Sequence, residues 1–220
     1  MQIINALDSH HRSSWESKNN RKLSEWWPVS GKFKPARFEI VVGTILTQNT
    51  NWKNVERALS GLARNKLTSA EAIAGCRTAR LQKTIRPAGF FVQKAQRLKT
   101  LCKFILSFNG KFYSKVSREQ LLALKGIGPE TADSILLFAC NRPEFVVDAY
   151  TKRIFSRYGV FKDDSGYESM KSFFEECFPK DAARYKEIHA LIVEHAKGIC
   201  KSRPECGKCP LQNCIKAGVP

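Results

Sequence analysis

Apolar residues recur along most of the chain at the three- to four-residue spacing of an amphipathic helix. Between residues 93 and 108, one such stripe consists of Ala95, Leu98, Leu101, Cys102 and Ile105. Residues at this spacing share one face of a helix. The same spacing predicts helices over residues 36–48, 52–62, 119–124, 129–140, 148–158, 167–178 and 181–198. The β-like run 145–147 is too short to build a sheet, and residues 1–34 suggest one helix followed by an ordered loop. The pattern therefore predicts an all-α protein.

The charge of the chain indicates a polyanionic partner. Its 220 residues include 37 Lys and Arg against 20 Asp and Glu, which gives a net charge of +17 and a pI near 9.7. Such a balance is typical of proteins that bind nucleic acid. A ribosome-associated or merely basic protein is the alternative.

The longest apolar runs, such as Ile40 to Leu46, are far too short to span a bilayer. The first residues lack the basic and apolar regions of a secretory signal. We therefore expect an intracellular protein of the cytoplasm or nucleoid that has no membrane contact. Structural disulfides are rare in that reducing setting.

The eight cysteines fall into two groups. Cys102 and Cys140 stand in apolar helical context, which predicts buried small side chains. Four others lie within fifteen residues in a C-x5-C-x2-C-x4-C run: Cys200, Cys206, Cys209 and Cys214. Four thiols this close in a reducing compartment indicate a metal centre.

Two metal centres compete for these four cysteines. Structural zinc sites commonly use two well-separated Cys-x-x-Cys hooks, whereas this run has one hook with a single cysteine on either side. A compact loop around a [4Fe–4S] cluster, which also takes four thiolates, fits the spacing better. Lys201, Arg203 and Lys208 lie in the same loop and predict a phosphate-binding platform, with simple solvation as the alternative.

The segment 124–132, Leu-Lys-Gly-Ile-Gly-Pro-Glu-Thr-Ala, predicts a tight hairpin that opens a helix. Gly126 and Gly128 permit close backbone approach, and Pro129 suits the first turn of a helix. Backbone N–H groups at such a helix start form a ready phosphate site. Asp148 follows shortly after this helix and suggests chemistry on a nucleotide. The same aspartate suits the N-cap of the next helix, and both roles are compatible.

These motifs, together with residues 46–50 (Leu-Thr-Gln-Asn-Thr), resemble the endonuclease III branch of the helix-hairpin-helix DNA glycosylases. The resemblance runs from about residue 26 to residue 214. It implies a six-helix domain over residues 38–147, with the helix-hairpin-helix at about 115–140. Residues 1–37 and 148–220 would form a second helical domain that carries the cluster loop, and the active site would lie between the two. A monomer acting on double-stranded DNA with a damaged base is expected.

The resemblance also assigns roles to individual residues. Members of this family flip a damaged base out of the duplex, and Gln48 and Phe90 would fill the vacated stack. An ordinary core aromatic and a polar helix end are the alternatives for these two residues. The hairpin residues implied to bind DNA are Lys125, Gly126, Ile127, Gly128 and Thr131. The four cysteines would hold a [4Fe–4S] cluster, although both outer gaps are one residue shorter than the family's usual x6-x2-x5.

One departure from the family pattern concerns the reaction. Bifunctional members carry a lysine at the position of Glu130, and that amine forms a Schiff base with the sugar and permits strand cleavage. Glu130 cannot act as this nucleophile, so the resemblance implies a monofunctional glycosylase. Asp148 matches the catalytic acid position, where a carboxylate stabilises the positive charge of the sugar or orients water.

Aromatic residues suggest the substrate. Trp26 and Trp27 precede the first core helix, and Trp52 follows the 46–50 motif; packing is the alternative explanation. An indole stacked on a cationic base gains on the order of 1–2 kcal/mol when desolvated. N-alkylated purines such as 3-methyladenine carry that charge. Residues 26–28, 46–50, 86–90 and 125–130 also resemble the 3-methyladenine DNA glycosylase subgroup.

Three other functions are open on the sequence. A mismatch glycosylase for thymine or uracil would need a polar pocket in place of the indoles. A bifunctional enzyme for oxidised pyrimidines is disfavoured by Glu130. A non-catalytic DNA-binding protein is disfavoured by Asp148 at the catalytic spacing.

Overall fold

The computed structural model describes residues 2–162 and 164–215. Within these ranges the chain is helical and forms no strand, so the predicted all-α class is confirmed. No helix of the described part is long and apolar enough to cross a membrane. The helices are α1 Gln2–Asn19, α2 Ala36–Thr47, α3 Trp52–Arg64, α4 Ala70–Gly75, α5 Thr78–Ile85, α6 Phe91–Leu106, α7 Phe112–Lys115, α8 Arg118–Leu122, α9 Pro129–Ser134, α10 Ala149–Tyr158, α11 Tyr167–Cys177 and α12 Ala182–Gly198.

The chain folds as two units, one from a single stretch and one from both ends. The continuous unit comprises residues 27–141, and the split unit comprises residues 1–26 with 142–220. The resemblance implied boundaries after residues 37 and 147. Both boundaries lie earlier in the chain because Phe33 packs in the core beside Phe38, whereas Phe145 stacks on Phe174 with ring centroids 4.1 Å apart.

The continuous unit is built around α2 and α6, which pack against each other and against the shorter helices. Its helix starts are fixed by side-chain caps: Asn51 accepts from the Asn54 N–H ahead of α3, and Ser117 and Gln120 form a capping box on α8. Beyond α9 the chain continues as a π-helical segment, Ile135–Ala139, which is buried. The helix predicted over residues 129–140 therefore begins with α-helical hydrogen bonds and continues with π-helical ones.

In the split unit, α12 packs against α1 and α10. Its core includes an aromatic layer in which Phe145 also meets the fully buried Tyr185. The extended segment before Asp148 is held by Glu175, which accepts the Phe145 N–H at 2.9 Å and pairs with the buried Lys171. This network fixes the backbone that leads into Asp148.

The two cysteines predicted to be buried differ. Cys102 is buried, and burial raises the pKa of its thiol to about 12. Cys140 is only half-buried, because it lies at the end of the π-helical segment rather than inside a helix. Cys76, for which no specific environment was predicted, is also buried.

Candidate functional site

The predicted hairpin forms, and its geometry requires a glycine at position 126. Gly126 adopts φ +88°, and a Cβ at this position would overlap the Arg97 side chain. The Ile127 N–H closes the turn on the Leu124 carbonyl at 3.0 Å, while the Ile127 side chain is buried. Ile127 therefore anchors the hairpin in the core, and its side chain is not available to DNA. Lys125 and Gly128 are exposed.

Gln48 lies against this hairpin. Its Nε2 donates to Thr131 Oγ1 at 3.0 Å and to the Gly126 carbonyl at 3.3 Å, and its Oε1 accepts from Arg97. The Thr131 hydroxyl is thus engaged with Gln48, and the residue is buried. Gln48 must release these bonds before it can enter a vacated base stack.

Phe90 has the exposure expected of a wedge. Its side chain is 62% exposed, and it occupies the N-cap of α6 with φ +44°. A bulky residue in the left-handed region is strained, and such positions concentrate at functional sites. Gly89, immediately before it, also has positive φ, +68°. The turn therefore presents an aromatic ring to solvent rather than to the core.

A buried lysine that the sequence analysis did not identify connects the Phe90 turn to α2. Lys94 is only 1% exposed, and its Nζ donates to the Leu46 carbonyl at 2.9 Å and to the Ala88 carbonyl at 2.8 Å. Burial, and to a lesser degree the charge of Arg97, lowers the pKa of Lys94 to about 8. One ammonium group thus holds together the backbone that leads to Gln48 and the backbone that leads to Phe90.

The structure brings Trp27 and Trp52 together. Their ring centroids lie 5.7 Å apart at 89°, and Trp27 also meets Phe138 at 5.0 Å. A Cβ on Gly43 would lie 3.2 Å from the Trp27 ring, so this glycine lets the indole approach α2. Both indoles are half-buried and keep part of their surface open. Trp52 Nε1 donates to Glu56 at 3.0 Å.

Trp26 belongs to a different environment from Trp27. It lies in the split unit, where its Nε1 donates to Glu194 Oε1 at 2.8 Å and its ring meets His189 edge-on at 5.7 Å. Lys197 Nζ stands 5.3 Å from the same ring. Trp26 therefore fastens the end of the N-terminal segment to α12.

Asp148 is the N-cap of α10. Its Oδ1 accepts from the Thr151 N–H at 2.7 Å and from the Thr151 hydroxyl at 2.9 Å. Its Oδ2 lies 4.0 Å from Nε2 of the buried His189. Burial lowers the pKa of His189, and the Asp148 charge opposes that effect. The cap uses one carboxylate oxygen and leaves the carboxyl group 14% exposed.

Glu130 is exposed in the first turn of α9. A carboxylate is favoured at that end of a helix by the backbone dipole. Lys125, which is near Glu130 in sequence, is also exposed, and so is Lys152, which is near Asp148. Neither lysine therefore lies in the buried, tuned surroundings that a lysine nucleophile needs.

The four clustered cysteines surround a cavity of about 50 Å³ in the split unit. Burial, together with the three neighbouring thiols, raises the pKa of Cys209. In the described part of the chain, no three His, Cys, Asp or Glu side chains converge closely enough to hold a single metal ion. The thiols border a space instead of meeting at a point.

Nitrogen donors from two helices approach these sulfurs. Arg157 Nη1 lies 3.5 Å from Cys200 Sγ, and the fully buried His195 places Nε2 3.5 Å from Cys209 Sγ. Arg157 is 8% exposed, and none of the hydrogen bonds that the structure gives it goes to a carboxylate. A buried guanidinium needs a negative partner. Four thiolates around this cavity would supply one, so the donor set fits an anionic metal centre.

Only one of the three cations in the cysteine loop lacks an ion pair in the described residues. Lys201 and Lys208 both pair with Glu205, the latter at 2.8 Å, and these bonds lower the pKa of Glu205 to about 2. The charge of the predicted three-cation platform is therefore partly neutralised, and Arg203 is the cation that forms no such pair in the described residues.

With this geometry established, comparison with known proteins identifies the chain. Residues 42–180 match the HhH-GPD superfamily of base excision DNA repair proteins, and the chain belongs to that family. It is therefore a DNA glycosylase of base excision repair, and its relatives place it in the endonuclease III branch.

Relatives in sequence cover most of the chain. A putative DNA repair glycosylase of Methanocaldococcus jannaschii is 47% identical over 85% of this chain and 86% of its own length. A thymine-DNA glycosylase of Aeropyrum pernix is 32% identical over 89% of this chain and 92% of its own.

Solved structures agree on the fold. The H. pylori 3-methyladenine DNA glycosylase bound to 1,N6-ethenoadenine is 31% identical, with a TM-score of 0.75 over 89% of this chain and 96% of that one. A trapped endonuclease III–DNA covalent intermediate superposes with a TM-score of 0.73 at 22% identity, over 82% of this chain and 84% of that one.

Proposed function

We propose that this glycosylase is monofunctional and removes alkylated bases of the 3-methyladenine type. The observation that carries the proposal is the Trp27–Trp52 pair, whose half-open indoles lie 5.7 Å apart. The electron-rich faces of these rings favour a cationic base over a neutral one. The structural similarity to an H. pylori 3-methyladenine DNA glycosylase supports the same substrate class.

Asp148 supplies the charge that the reaction needs. Loss of the base leaves a sugar with oxocarbenium character, which a fixed carboxylate stabilises. The two bonds from Thr151 hold Oδ1 in place, so the carboxylate is preorganised rather than free to rotate. An alkylated purine already carries positive charge and leaves readily, so one acid suffices.

The reaction stops after base removal. Glu130 stands where bifunctional relatives carry the nucleophilic lysine, and Lys125 and Lys152 are exposed. A lysine nucleophile must be neutral in a tuned site, and these two are not in such surroundings. Strand breakage would then require alkali or a separate enzyme.

DNA is held by the hairpin and opened by Phe90. The exposed Lys125 and the backbone at residues 126–131 would bind the phosphates of the damaged strand. Phe90, exposed and strained, would enter the space left by the flipped base, with Gln48 following once its bonds to the hairpin break.

The cysteine loop would hold a [4Fe–4S] cluster on Cys200, Cys206, Cys209 and Cys214. The run has one Cys-x-x-Cys hook with a single cysteine on either side, which supports a compact multi-iron cluster over a single zinc. The cluster would add electrostatic and structural support to the loop. Arg157 would balance its charge and tie the loop to α10 through the carbonyls of residues 201 and 202.

A thymine or uracil mismatch glycosylase is the second candidate, because a thymine-DNA glycosylase of Aeropyrum pernix is 32% identical over most of this chain. A bifunctional endonuclease III-like enzyme for oxidised pyrimidines ranks below it because of Glu130. The three candidates differ in which base they release and in whether the strand breaks.

One experiment separates the candidates. The protein is incubated with methylated duplex DNA and with duplexes containing a G·U or G·T pair, and free bases and strand breaks are measured before and after alkali. We expect 3-methyladenine to be released and strands to break only after alkali. Release of uracil or thymine without 3-methyladenine refutes the alkylation proposal. A covalent DNA adduct trapped by borohydride refutes the monofunctional one.

A further inference from the structure

A basic cleft lies between α3 and α5 of the continuous unit. Its volume is about 470 Å³. Its walls carry four cationic side chains, Arg57 and Arg64 from α3 and Arg80 and Lys83 from α5. No acidic side chain is among the described residues that line it.

Helix geometry places these four cations around one space. Arg57, Gly61 and Arg64 are spaced by four and three residues, so they share one face of α3. Gly61 lets the two helices approach, since a Cβ there would lie 2.9 Å from the Thr84 carbonyl. The cationic side chains of α3 and α5 therefore line the two sides of one cleft, and this close contact between the helices forms its base.

The charges of the cleft have no local counter-charge. None of the four cations forms an ion pair with a carboxylate in the described part of the chain, and Arg80 donates only to the Asn65 carbonyl at 3.1 Å. The nearest acid in sequence, Glu56, accepts a bond from Trp52. Like charges that share a concave surface repel, and they concentrate the field for an anion.

We propose that this cleft binds a backbone phosphate of the DNA duplex beyond the flipped nucleotide. The occupant follows from position as well as charge, because Pro87 lines the cleft and belongs to the turn 86–88 that leads directly to Phe90. The cleft thus borders the turn that precedes the wedge residue. The inference rests on the DNA binding of the family and on the proposed role of Phe90, not on which base is removed.

The test compares two variants with equal loss of charge. Arg64→Gln with Lys83→Gln removes two cleft cations, whereas Lys103→Gln with Lys111→Gln removes two exposed cations of the same unit outside the cleft. Binding to a duplex containing an uncleavable abasic analogue is measured by fluorescence anisotropy over a range of salt concentrations. Each lost phosphate contact lowers the slope of log K against log salt by about 0.9.

We expect the cleft variant to lower this slope by about one and the control variant to leave it near the wild-type value. Base release at saturating enzyme should be the same in all three proteins. Equal slopes for the two variants overturn the proposal. A free polyphosphate offers the same chemistry as a DNA phosphate, and thermal unfolding with added tripolyphosphate tests for it. If tripolyphosphate stabilises the wild type but not the cleft variant, and the DNA slopes of the two variants are equal, the cleft binds a free polyphosphate. That result would also overturn the proposal.

Discussion

The buried Lys94 gives a prediction whose size follows from the structure. Its pKa is lowered from 10.5 to about 8, so the native state holds fewer protons than the unfolded chain between these two pH values. The free energy of unfolding therefore rises with pH in that window, because deprotonation of Lys94 removes the cost of burying its charge. A pKa shift of this size lowers the free energy of unfolding by about 3 kcal/mol while the amine is charged. About 2–3 kcal/mol of that free energy is regained between pH 7 and pH 10.

The perturbation is Lys94→Met, which keeps an unbranched side chain, shorter by one heavy atom, and removes the amine. Urea unfolding is measured for wild type and variant at several pH values from 7 to 10. We expect the wild type to gain about 2–3 kcal/mol relative to the variant over this range. The neutral amine still has two N–H groups for the carbonyls of Leu46 and Ala88, so their bonds persist at high pH.

Lys103→Met is the matched control, because Lys103 is an exposed lysine of the same helix. Its stability difference from the wild type should not vary over the same pH range. If the Lys94→Met difference also stays constant with pH, Lys94 is not a buried cation in the native state, and its role as the bond between the Gln48 and Phe90 segments is refuted.

Three further predictions concern the wedge, the hairpin and the cluster loop. Phe90→Ala should slow base release from a fully paired duplex by about tenfold or more but leave the release of an unpaired base unchanged, because an unpaired base costs less to extrude. Single-turnover assays on matched and bulged substrates compare the two rates. Equal losses of rate on both substrates would argue against a wedge. Gly126→Ala should destabilise the fold by about 1–3 kcal/mol, because φ +88° strains a Cβ that also meets Arg97; Gly110→Ala, at φ +82° with open space around it, controls for the strain alone. Arg157→Leu should lower the iron bound per chain and the visible absorbance, whereas Lys152→Leu on the exposed side of the same helix should not; full iron content in Arg157→Leu would contradict the charge-balancing role.

The sequence predicted the helices that carry a regular apolar stripe, such as α2, α6 and α12. It did not predict α4, α5 and α7, because such short helices contain few turns in which a period can appear; of comparably short helices, α8 and α9 were predicted. The π-helical segment after α9 also escaped prediction. Its residues have the same apolar character as an α-helix, and only the hydrogen bonding differs.

The candidate functional site was also predicted only in part from the sequence. Motif spacing and the family resemblance predicted roles for Asp148, Phe90, the hairpin and the four cysteines, but they could not show that the Ile127 side chain points into the core. Lys94 was missed because a lysine beside an apolar stripe usually lies at the surface. The pairing of Lys201 and Lys208 with Glu205 was missed because it depends on the conformation of a loop that is not α-helical, which the spacing alone does not predict.

The central claim is that Asp148, without a lysine, drives hydrolysis of the glycosidic bond. Asp148→Asn tests it most directly, because Asn caps a helix as well as Asp and removes only the charge. Single-turnover release of 3-methyladenine from methylated duplex DNA is compared for the two proteins, and strand integrity is followed before alkali. We predict a loss of about a hundredfold to a thousandfold in the variant, with intact strands in both. Equal rates, or strand cleavage by the wild type before alkali, would contradict the account.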